Sequence, residues 1–422
     1  MKISYVKGNT YFNKQKNKNN QTNKKYNKEK NLKIKQYPYL DEDIETEVVI
    51  VGGGVTGAIL GYYFSKNNIP NVILEKERTG HGSTSVSTAL LQYELDDMIN
   101  KLEQIMKRED IVKAYKLGQK ALGNIEEFVN KYENKCEYVK ADSLLYSAKK
   151  EDKKILEYEY EFRKNNKFDV ELLEKSSNNL PFEIESAIIS KNGGAKINPY
   201  LFTHQLLDVA SNKTIVYENT ELQNIEYEKE NIVNVKTSYG NNIKCKKVII
   251  ATGYDIDKFT KRNFGTKTIT YNIVTETMSK EQLVDKYIIR DIKDPYNYIR
   301  TTKDNRYIIG GEDIEVNEKN YSEEVANEKY NILEQRLKTM FPNIKNYKIE
   351  YKYAGIFCST KDNLGFIGED KEHKNLWYAL GYGANGILYA MLAGDMLTKK
   401  YKGEVDKNIN LFRIDRFDGS KN

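Results

Sequence analysis

Cysteine, histidine and proline are scarce in this chain, and each shortage excludes a class of function. The 422 residues include three cysteines, none in a CxxC pair, which excludes a cysteine-based zinc or iron–sulfur site, so we predict no metal centre. The three histidines, His81, His204 and His373, form no cluster with acids or serines, and only His81 is kept as a functional candidate because it lies in a polar loop. Six prolines leave no long rigid linker, which predicts about two domains that interleave along the chain.

Long apolar runs are missing as well. No apolar run is long enough to span a bilayer, and the N-terminal residues do not resemble the apolar core of a signal peptide. Few cysteines fit a reducing compartment. We therefore expect a cytoplasmic protein without a membrane partner.

The net charge of +6 is distributed unevenly. Residues 1–40 contain eleven lysines and one acid, which leaves 56 basic and 60 acidic side chains in the other 382 residues. The Lys- and Asn-rich tail has no apolar periodicity and is predicted to be solvated or loosely docked. Since the body is nearly neutral, it does not suit a polyanion, and nucleic-acid binding through the basic tail remains only an alternative.

The most informative segment is a strand followed by a glycine-rich turn. Val48, Val49, Ile50 and Val51 predict a buried strand, and Gly52, Gly54 and Gly57 follow at the spacing of a dinucleotide-binding turn. A helix begins there, and a second strand ends at Glu75, where a carboxylate can accept both hydroxyls of a ribose. The whole unit predicts a nucleotide cofactor without a 2′-phosphate, because that phosphate would face Glu75.

Three further segments suit the same ligand. Residues 82–89 form a short hydroxyl-rich loop, and residues 248–253 form an apolar strand that ends in Ala-Thr-Gly, where bare backbone can approach a nucleotide. Residues 376–386 form another strand and glycine turn before an apolar helix, but no acid follows at ribose distance. The helix N-terminus there suits the pyrimidine end of a flavin, which becomes negative on reduction.

These blocks, together with a strand–turn–strand at residues 353–368, resemble the D-amino-acid-oxidase-like superfamily of FAD-dependent amine oxidoreductases, which includes glycine and sarcosine oxidases and γ-glutamylputrescine oxidase. The resemblance covers about residues 41–400 and implies an α/β protein. A Rossmann-like FAD-binding domain with a doubly wound sheet is expected at residues 41–95, 187–262 and 353–422. An α+β substrate domain on a large antiparallel sheet is expected at residues 96–186 and 263–352.

The resemblance also implies non-covalent FAD, held by the turns and loops described above. The residues predicted to bind FAD are Gly52, Gly54, Val55, Thr56, Gly57, Glu75, Lys76, Ser83, Thr84, Ser87, Thr88, Ala89, Leu222, Thr252, Gly253, Gly381, Gly383, Asn385 and Gly386. Leu222 corresponds to a position whose backbone contacts adenine in the family.

Three positions depart from the family pattern. Phe357 stands where glycine-oxidase-like members place a carboxylate-binding arginine, although Arg300 could supply a cation from another strand. Gly355 stands where sarcosine oxidases attach FAD through cysteine, and Cys358 is three residues away. Ile308 stands near the position of their oxygen-activating lysine, so either oxygen or an electron-acceptor protein or quinone could reoxidise the flavin.

The implied reaction is oxidation of the C–N bond of a small-molecule amine or amino acid by hydride transfer to flavin N5, followed by hydrolysis of the imine. The candidates for the catalytic pocket are Tyr298, Arg300, Phe357, Tyr382 and Gln92. Two alternatives remain: a dehydrogenase of a hydroxy acid or alcohol, and a flavoprotein that acts on nucleic acid through its tail.

Overall fold

The computed structural model describes residues 6–8, 10–12, 32, 34–175, 180–228, 232–317, 322–344 and 346–418. Three β-sheets and eight α-helices are found among them. The strands are β1 Val6–Gly8, β2 Ile44–Glu45, β3 Val48–Val51, β4 Asn71–Leu74, β5 Leu90–Gln92, β6 Val139–Ser147, β7 Val170–Glu174, β8 Ser186–Lys196, β9 Thr214–Tyr217, β10 Leu222–Tyr227, β11 Val233–Thr237, β12 Asn242–Cys245, β13 Lys247–Ile250, β14 Thr266–Thr275, β15 Tyr287–Asp291, β16 Asn297–Thr301, β17 Tyr307–Glu315, β18 Ile349–Ser359, β19 Phe366–Glu369 and β20 Leu376–Leu380. The helices are α1 Val55–Lys66, α2 Ser83–Val86, α3 Ile99–Leu102, α4 Arg108–Tyr132, α5 Lys153–Asn165, α6 Pro199–Ala210, α7 Glu323–Met340 and α8 Gly386–Tyr401.

A six-stranded sheet forms the core of the predicted FAD-binding domain, in the order β19-β20-β13-β3-β4-β9, and only β19 runs antiparallel to its neighbour. Its central strands are mostly apolar because both faces of the sheet are covered. Val48 and Ile50 pack with α1, α6 and α8 on one face. Val49 and Val51 pack against a four-stranded sheet, β10-β11-β12-β2, on the other.

A ten-stranded, mostly antiparallel sheet forms the substrate domain. Its main order is β1-β18-β14-β17-β16-β15-β6-β8-β5, and β7 pairs with β8. Alternate residues of β14, Ile269, Tyr271 and Ile273, pack with Leu333 and Leu337 of α7. The intervening residues therefore lie on the opposite face, as the period of two in a strand requires.

Two helices begin at a side-chain N-cap. The Asn198 side chain accepts a hydrogen bond from the backbone N–H of Leu201 at 3.1 Å and begins α6. The Ser322 side chain does the same for Val325 at 3.1 Å and begins α7. α3 and α4 are separate helices, because Lys107 between them is extended.

The boundary between domains differs from the predicted one in two strands. β8 and β18 belong to the large sheet, although the boundaries at residues 187 and 353 assign most of each to the FAD-binding domain. Both strands are mixed in polarity, and no change in composition marks the predicted boundary within either of them. Their backbone pairing with β6 and β14 decides the assignment, and pairing across the chain is not visible in local sequence.

Parts of the N-terminal tail are built into the fold. β1 pairs antiparallel with β18, and Tyr11 and Phe12 are buried in a cluster with Tyr351 and Tyr353. Leu40 is fully buried in the FAD-binding domain, where its N–H donates to Thr220 Oγ1 at 3.1 Å. The prediction of a solvated or loosely docked tail is therefore wrong at these places. Most of the Lys- and Asn-rich stretch lies outside the described residues.

A search of the described helices found none with the length and apolar character needed to cross a bilayer.

Candidate active site

The glycine turn after β3 is required by the fold at its first and third glycines. Gly52 has a φ of +112°, and a Cβ on it would lie 2.5 Å from the carbonyl oxygen of Ala251. A Cβ on Gly57 would lie 1.9 Å from the carbonyl oxygen of Gly52. A side chain on Gly52 would therefore separate β3 from β13, and a side chain on Gly57 would separate α1 from β3. Both constraints are expected of a dinucleotide-binding turn.

Gly54 is different, because its backbone conformation does not require glycine and only one atom lies close to an added Cβ. Its φ of −77° and ψ of −172° suit any residue, and an added Cβ would approach only Thr84 Oγ1, at 3.1 Å. Gly54 is the N-cap of the twelve-residue helix α1, makes no side-chain cap, and precedes Val55 and Thr56 in the first turn. The space beside this positive helix end fits a pyrophosphate, and a side chain would occupy it.

Glu75 lies at the end of β4 beside the turn. Its Oε2 accepts from the N–H of Gly53 at 2.8 Å, and its Oε1 accepts from the N–H of Glu77 at 2.9 Å. Burial raises its pKa, and these two hydrogen bonds oppose that effect. Each carboxylate oxygen keeps acceptor capacity for a ribose hydroxyl.

The neighbouring segments close around this carboxylate. The backbone N–H of Thr220 donates to the carbonyl of Glu75 at 2.9 Å, which brings the chain that leads to Leu222 beside it. The Leu222 side chain itself is buried in the core. Lys76 Nζ lies 2.5 Å from Asp255 Oδ2 and joins the end of β4 to the loop after β13.

The Ala-Thr-Gly loop after β13 has an unsatisfied polar group. Thr252 Oγ1 is buried and has no hydrogen-bond partner among the described residues. Gly253 has a φ of +61° and no atom within 4 Å of an added Cβ. A buried hydroxyl beside open space is the arrangement expected of a ligand contact.

The hydroxyl-rich loop joins the two domains. Thr84 Oγ1 accepts from the N–H of Val55 at 2.9 Å, which ties α2 to the start of α1. Val86 packs on Gly355 of β18, where an added Cβ would lie 2.7 Å from it. The loop consequently lies between the glycine turn and the large sheet.

The end of this loop reaches the substrate domain. The N–H of Ala89, whose φ is +47°, donates to Ser87 Oγ at 3.1 Å. Burial raises the pKa of Tyr298, and side-chain hydrogen bonds with Thr270 and Thr88 oppose it. Ser83 Oγ lies 3.5 Å from the carbonyl oxygen of Ile356. His81 is exposed and meets Tyr200 edge-on, with 5.6 Å between ring centroids, so it stays outside this junction.

The second glycine turn precedes α8. Added Cβ atoms on Gly381 and Gly386 would each lie 2.4 Å from the other residue's carbonyl oxygen, so their backbones must touch. Asn385 is buried, and its Nδ2 donates to the carbonyl of Glu94 at 2.6 Å, while its Oδ1 has no partner among the described residues. Gly383 has a φ of +72°. The turn presents an orphan amide oxygen beside the end of β5.

The strand–turn–strand block at residues 353–368 positions this second glycine turn. Asp362 accepts two hydrogen bonds from Arg416, Nε at 2.7 Å and Nη2 at 2.9 Å. Asn363, next to it, donates through Nδ2 to Asp97 Oδ2 at 2.8 Å. The N–H of Gly383 donates to the carbonyl of Cys358 at 2.8 Å. The motif is thus a brace between the C-terminal segment, β18 and the cofactor loops.

The large sheet presents a polar row on the face opposite α7. The Tyr298 hydroxyl lies 2.9 Å from Thr270 Oγ1 and donates to Asn272 Oδ1 at 3.3 Å. Gly310 lies beneath them, because an added Cβ would meet both Asn272 and Tyr298 within 2.3 Å. Asn272 has no exposed area, and its Nδ2 has no partner among the described residues. This row and the Thr88 contact place Tyr298 where the sheet meets the cofactor loops.

Two other predicted pocket residues, Arg300 and Phe357, lie on strands of the same large sheet as Tyr298. Arg300 lies two residues after Tyr298 in β16. It donates through Nη2 to the carbonyl of Ile197 at 3.1 Å, and its guanidinium lies 5.5 Å from the Phe12 ring centroid. Burial lowers its pKa to about 10, so it stays charged at neutral pH. Phe357 is half-buried on β18, opposite Thr268.

Tyr382 and Gln92 have supporting positions. The Tyr382 ring packs near Phe366 in the FAD-domain core, and its hydroxyl donates to the carbonyl of Gly253 at 2.9 Å. It therefore supports the Ala-Thr-Gly loop and does not belong to the row around Tyr298. Gln92 is buried at the end of β5, with its Nε2 3.5 Å from the carbonyl oxygen of Glu94.

Sequence reasoning missed two acids, Asp96 and Asp313. Asp96 Oδ2 accepts from the N–H of Ala384 at 3.1 Å, and its Oδ1 lies 3.6 Å from Arg290 Nη1. Asp313 lies beyond a bulge in β17, and its charge raises the pKa of Tyr298. The Gly310-Gly311 pair before Asp313 was a signal of irregular strand geometry, but the direction of the acid depends on the bulge itself.

Comparison with known proteins agrees with this geometry. Residues 47–400 match the model of the family described as DAO, FAD dependent oxidoreductase, so the chain belongs to that family of FAD-dependent enzymes. It is similar to γ-glutamylputrescine oxidoreductase of Escherichia coli (strain K12), 24% identical over 391 residues that cover 89% of this chain and 88% of that protein. It is also similar to glycine oxidase of Bacillus subtilis (strain 168), 23% identical over 380 residues, 88% of this chain and 97% of that one.

The fold has a solved counterpart as well. The crystal structure of glycine oxidase from Geobacillus kaustophilus superposes with a TM-score of 0.73 at 19% identity, covering 86% of this chain and 96% of that chain. The predicted family, fold class and FAD cofactor are confirmed. The open space at Gly54, the orphan oxygens of Thr252 and Asn385, and the carboxylate of Glu75 fit FAD in this chain.

Proposed function

We propose that this enzyme oxidises a C–N bond of a small amine, and that it prefers amines without a carboxylate on the reacting carbon. Support for C–N chemistry comes from the relatives, one an oxidoreductase of γ-glutamylputrescine and another a glycine oxidase. The observation that carries the preference is the position of Arg300. Its guanidinium donates to the carbonyl of Ile197 and is covered by Phe12, while Phe357 is apolar. A carboxylate buried beside Phe357, which supplies no cation, would cost several kcal/mol of desolvation.

The residues around the polar row would orient the substrate. Tyr298 and Asn272 offer a hydroxyl and an amide, and Thr270 holds the Tyr298 hydroxyl in place. The bound flavin supplies the acceptor for the hydride that leaves the substrate carbon. The large sheet and the loop around Val86 exclude water from this region, and the imine product is hydrolysed after it leaves.

The FAD is proposed to be non-covalent, and its reoxidation by oxygen is expected to be slow. Gly355, packed on Val86, has no side chain to form a bond, and Cys358 is buried in the FAD-domain core. Ile308 is buried with Val274 and Tyr351 and offers no amine to stabilise a reduced oxygen species. A quinone or an electron-acceptor protein is therefore the expected oxidant, and stopped-flow reoxidation of the reduced enzyme by oxygen and by a soluble quinone compares the two.

Anaerobic mixing tests the substrate class. The oxidised holoenzyme is mixed with primary and secondary amines, glycine, sarcosine and small 2-hydroxy acids, and loss of the flavin absorbance is followed. Amines are expected to bleach the flavin fastest. If a hydroxy acid bleaches the flavin fastest, the enzyme oxidises a C–O bond and the proposed oxidation of a C–N bond is wrong. Fastest bleaching by glycine or sarcosine, lost in Arg300→Ala, would show that Arg300 anchors a carboxylate and that the amine preference is wrong.

A further inference from the structure

The strand that carries Asp313 contains one extra residue. In β14 and β17, Tyr271 is opposite Gly311, whereas Ile269 is opposite Ile314, so three steps along β17 match two along β14. Gly311 has a φ of +132° and Glu312 a φ of +57°. Such a bulge changes which face the following side chain occupies.

The bulge separates two adjacent carboxylates. Glu312 points towards α7, where its Oε1 lies 2.7 Å from Arg336 Nη2 and its Oε2 lies 3.3 Å from Lys329 Nζ. Asp313 lies on the other side, where it interacts electrostatically with Tyr296 and Tyr298. Glu312 is therefore paired within the protein, and Asp313 faces the cofactor side of the sheet.

No cation of the described residues forms an ion pair with Asp313. Its Oδ1 is buried and has no hydrogen-bond partner among them. The cation on this side, Arg290, is 3.6 Å from Asp96 Oδ1 and also donates to the Asp96 carbonyl at 2.8 Å. Arg290, Asp96 and Asp313 together carry one uncompensated negative charge when both acids are ionised, and a buried carboxylate of this kind favours a bound cation.

The aromatic residues beside Asp313 suit an ammonium group. The Tyr296 and Tyr298 rings are 6.0 Å apart between centroids and inclined by 49°. Tyrosine faces attract a cation, and a carboxylate adds a charge-assisted hydrogen bond. We propose, building on the amine oxidation proposed above, that Asp313 with Tyr296 and Tyr298 binds a second ammonium group, so that the substrate is a diamine.

The pKa of Asp313 gives this site a pH dependence. Burial raises it to about 7, Asp96 and Glu312 add to the increase, and Thr270 and Lys329 oppose it. The charged groups around the site are thus Asp96, Glu312, Lys329 and Arg290, whose guanidinium lies 5.9 Å from the Tyr296 ring centroid. Below pH 7 the carboxyl group becomes neutral, whereas alkylammonium groups stay charged up to about pH 10. The advantage of a second ammonium should therefore decrease from pH 8 to pH 6.

Three ligands with six carbons each test whether the site binds a second ammonium group: hexane-1,6-diamine, hexylamine and 6-aminohexanoate. Their dissociation constants are measured by calorimetry on holoenzyme pre-reduced with dithionite, in which the amine binds without turnover. The wild-type enzyme should bind the diamine on the order of tenfold more tightly than hexylamine at pH 8, and 6-aminohexanoate most weakly. Asp313→Asn should remove that difference. Glu315→Gln, an exposed carboxylate at the end of the same strand, should keep it.

The outcomes distinguish this site from the proposed function. Equal loss of diamine and hexylamine affinity in Asp313→Asn would place the carboxylate on the reacting amine and overturn the second-ammonium site. Equal affinities in the wild type, or a diamine advantage that does not change between pH 6 and pH 8, would overturn it without any variant. If no amine bleaches the oxidised flavin but the diamine still binds through Asp313, the proposed reaction fails and the ammonium site stands.

Discussion

The cofactor region and the substrate face recognise their ligands in opposite ways. The cofactor region offers backbone and open space, as at Gly54, where an added Cβ would meet only Thr84 Oγ1 within 4 Å. The substrate face offers side chains, Thr270, Asn272, Tyr298 and Asp313, from three strands of the large sheet. A phosphate is bound by backbone N–H groups, which every residue except proline has, so that site needs side chains removed. A small amine is distinguished only by side chains placed around it.

The largest effect is expected when a side chain fills the open space beside Gly54 in the cofactor region. Gly54→Leu should abolish FAD retention, because the side chain would fill the space beside the N-terminus of α1, with an affinity loss on the order of 100-fold or more. The ratio of flavin to protein absorbance after gel filtration measures it. Gly123→Leu, at an exposed helical glycine with no atom within 4 Å of an added Cβ, is the matched control. Stoichiometric FAD in Gly54→Leu would show that the turn is structural only.

The next effect concerns a side chain on the substrate face. Tyr298→Phe should keep FAD but slow flavin reduction by amines by about 10- to 100-fold, because the hydroxyl no longer joins Thr270 and Asn272. Anaerobic stopped-flow measurement gives the rate. Tyr271→Phe, a buried tyrosine that packs with Tyr330 on the α7 side, should change the rate little. Loss of FAD in Tyr298→Phe would mean that the Tyr298 hydroxyl contributes to cofactor binding as well as to the substrate face.

A smaller effect is expected from the N-terminal tail, which contacts both regions. Deletion of residues 1–33 should leave FAD bound, and it should weaken discrimination against carboxylates because Phe12 no longer covers Arg300. Deletion of residues 1–40 should lower FAD retention too, since Leu40 bonds to Thr220, which holds Glu75. Bound flavin and relative binding of glycine and ethylamine to the two truncated proteins measure these effects. If both truncated proteins retain the same amount of FAD, the whole tail is dispensable for cofactor binding.

The smallest effect is a change in the pH dependence of stability. The Asp313 carboxyl is more protonated in the folded than in the unfolded protein between about pH 4 and pH 7, because its folded pKa is raised to about 7. Its ionisation therefore lowers the free energy of unfolding as pH rises through this window. Asp313→Asn removes that loss.

Thermal unfolding without amine checks this prediction. The difference in Tm between Asp313→Asn and the wild type should be small or negative at pH 5 and should become more positive by pH 8. Glu315→Gln should show no such trend, since that carboxylate is exposed. A difference that is constant with pH would mean that Asp313 titrates normally.

The sequence predicted the cofactor region much better than the substrate face. Gly52, Gly57 and Glu75 could be assigned because turn, strand and acid lie within one short segment, and the structure brings them together. Among the pocket candidates, Tyr298 lies in the polar row, whereas Tyr382 packs in the FAD-domain core. Local sequence does not show which core or sheet face a tyrosine ring occupies, so it could not distinguish them.

By itself, the sequence determined which cofactor chemistry the protein supports, because glycine spacing and helix starts act over a few residues through local sterics and backbone N–H groups. Tertiary structure alone decided that Tyr11 and Phe12 pack over the substrate sheet, that Arg300 is covered, and that Glu312 is paired while Asp313 is not. These outcomes depend on strand register and on one extra residue in β17. A shift of a single residue reverses the face of every side chain that follows, and no local pattern records it.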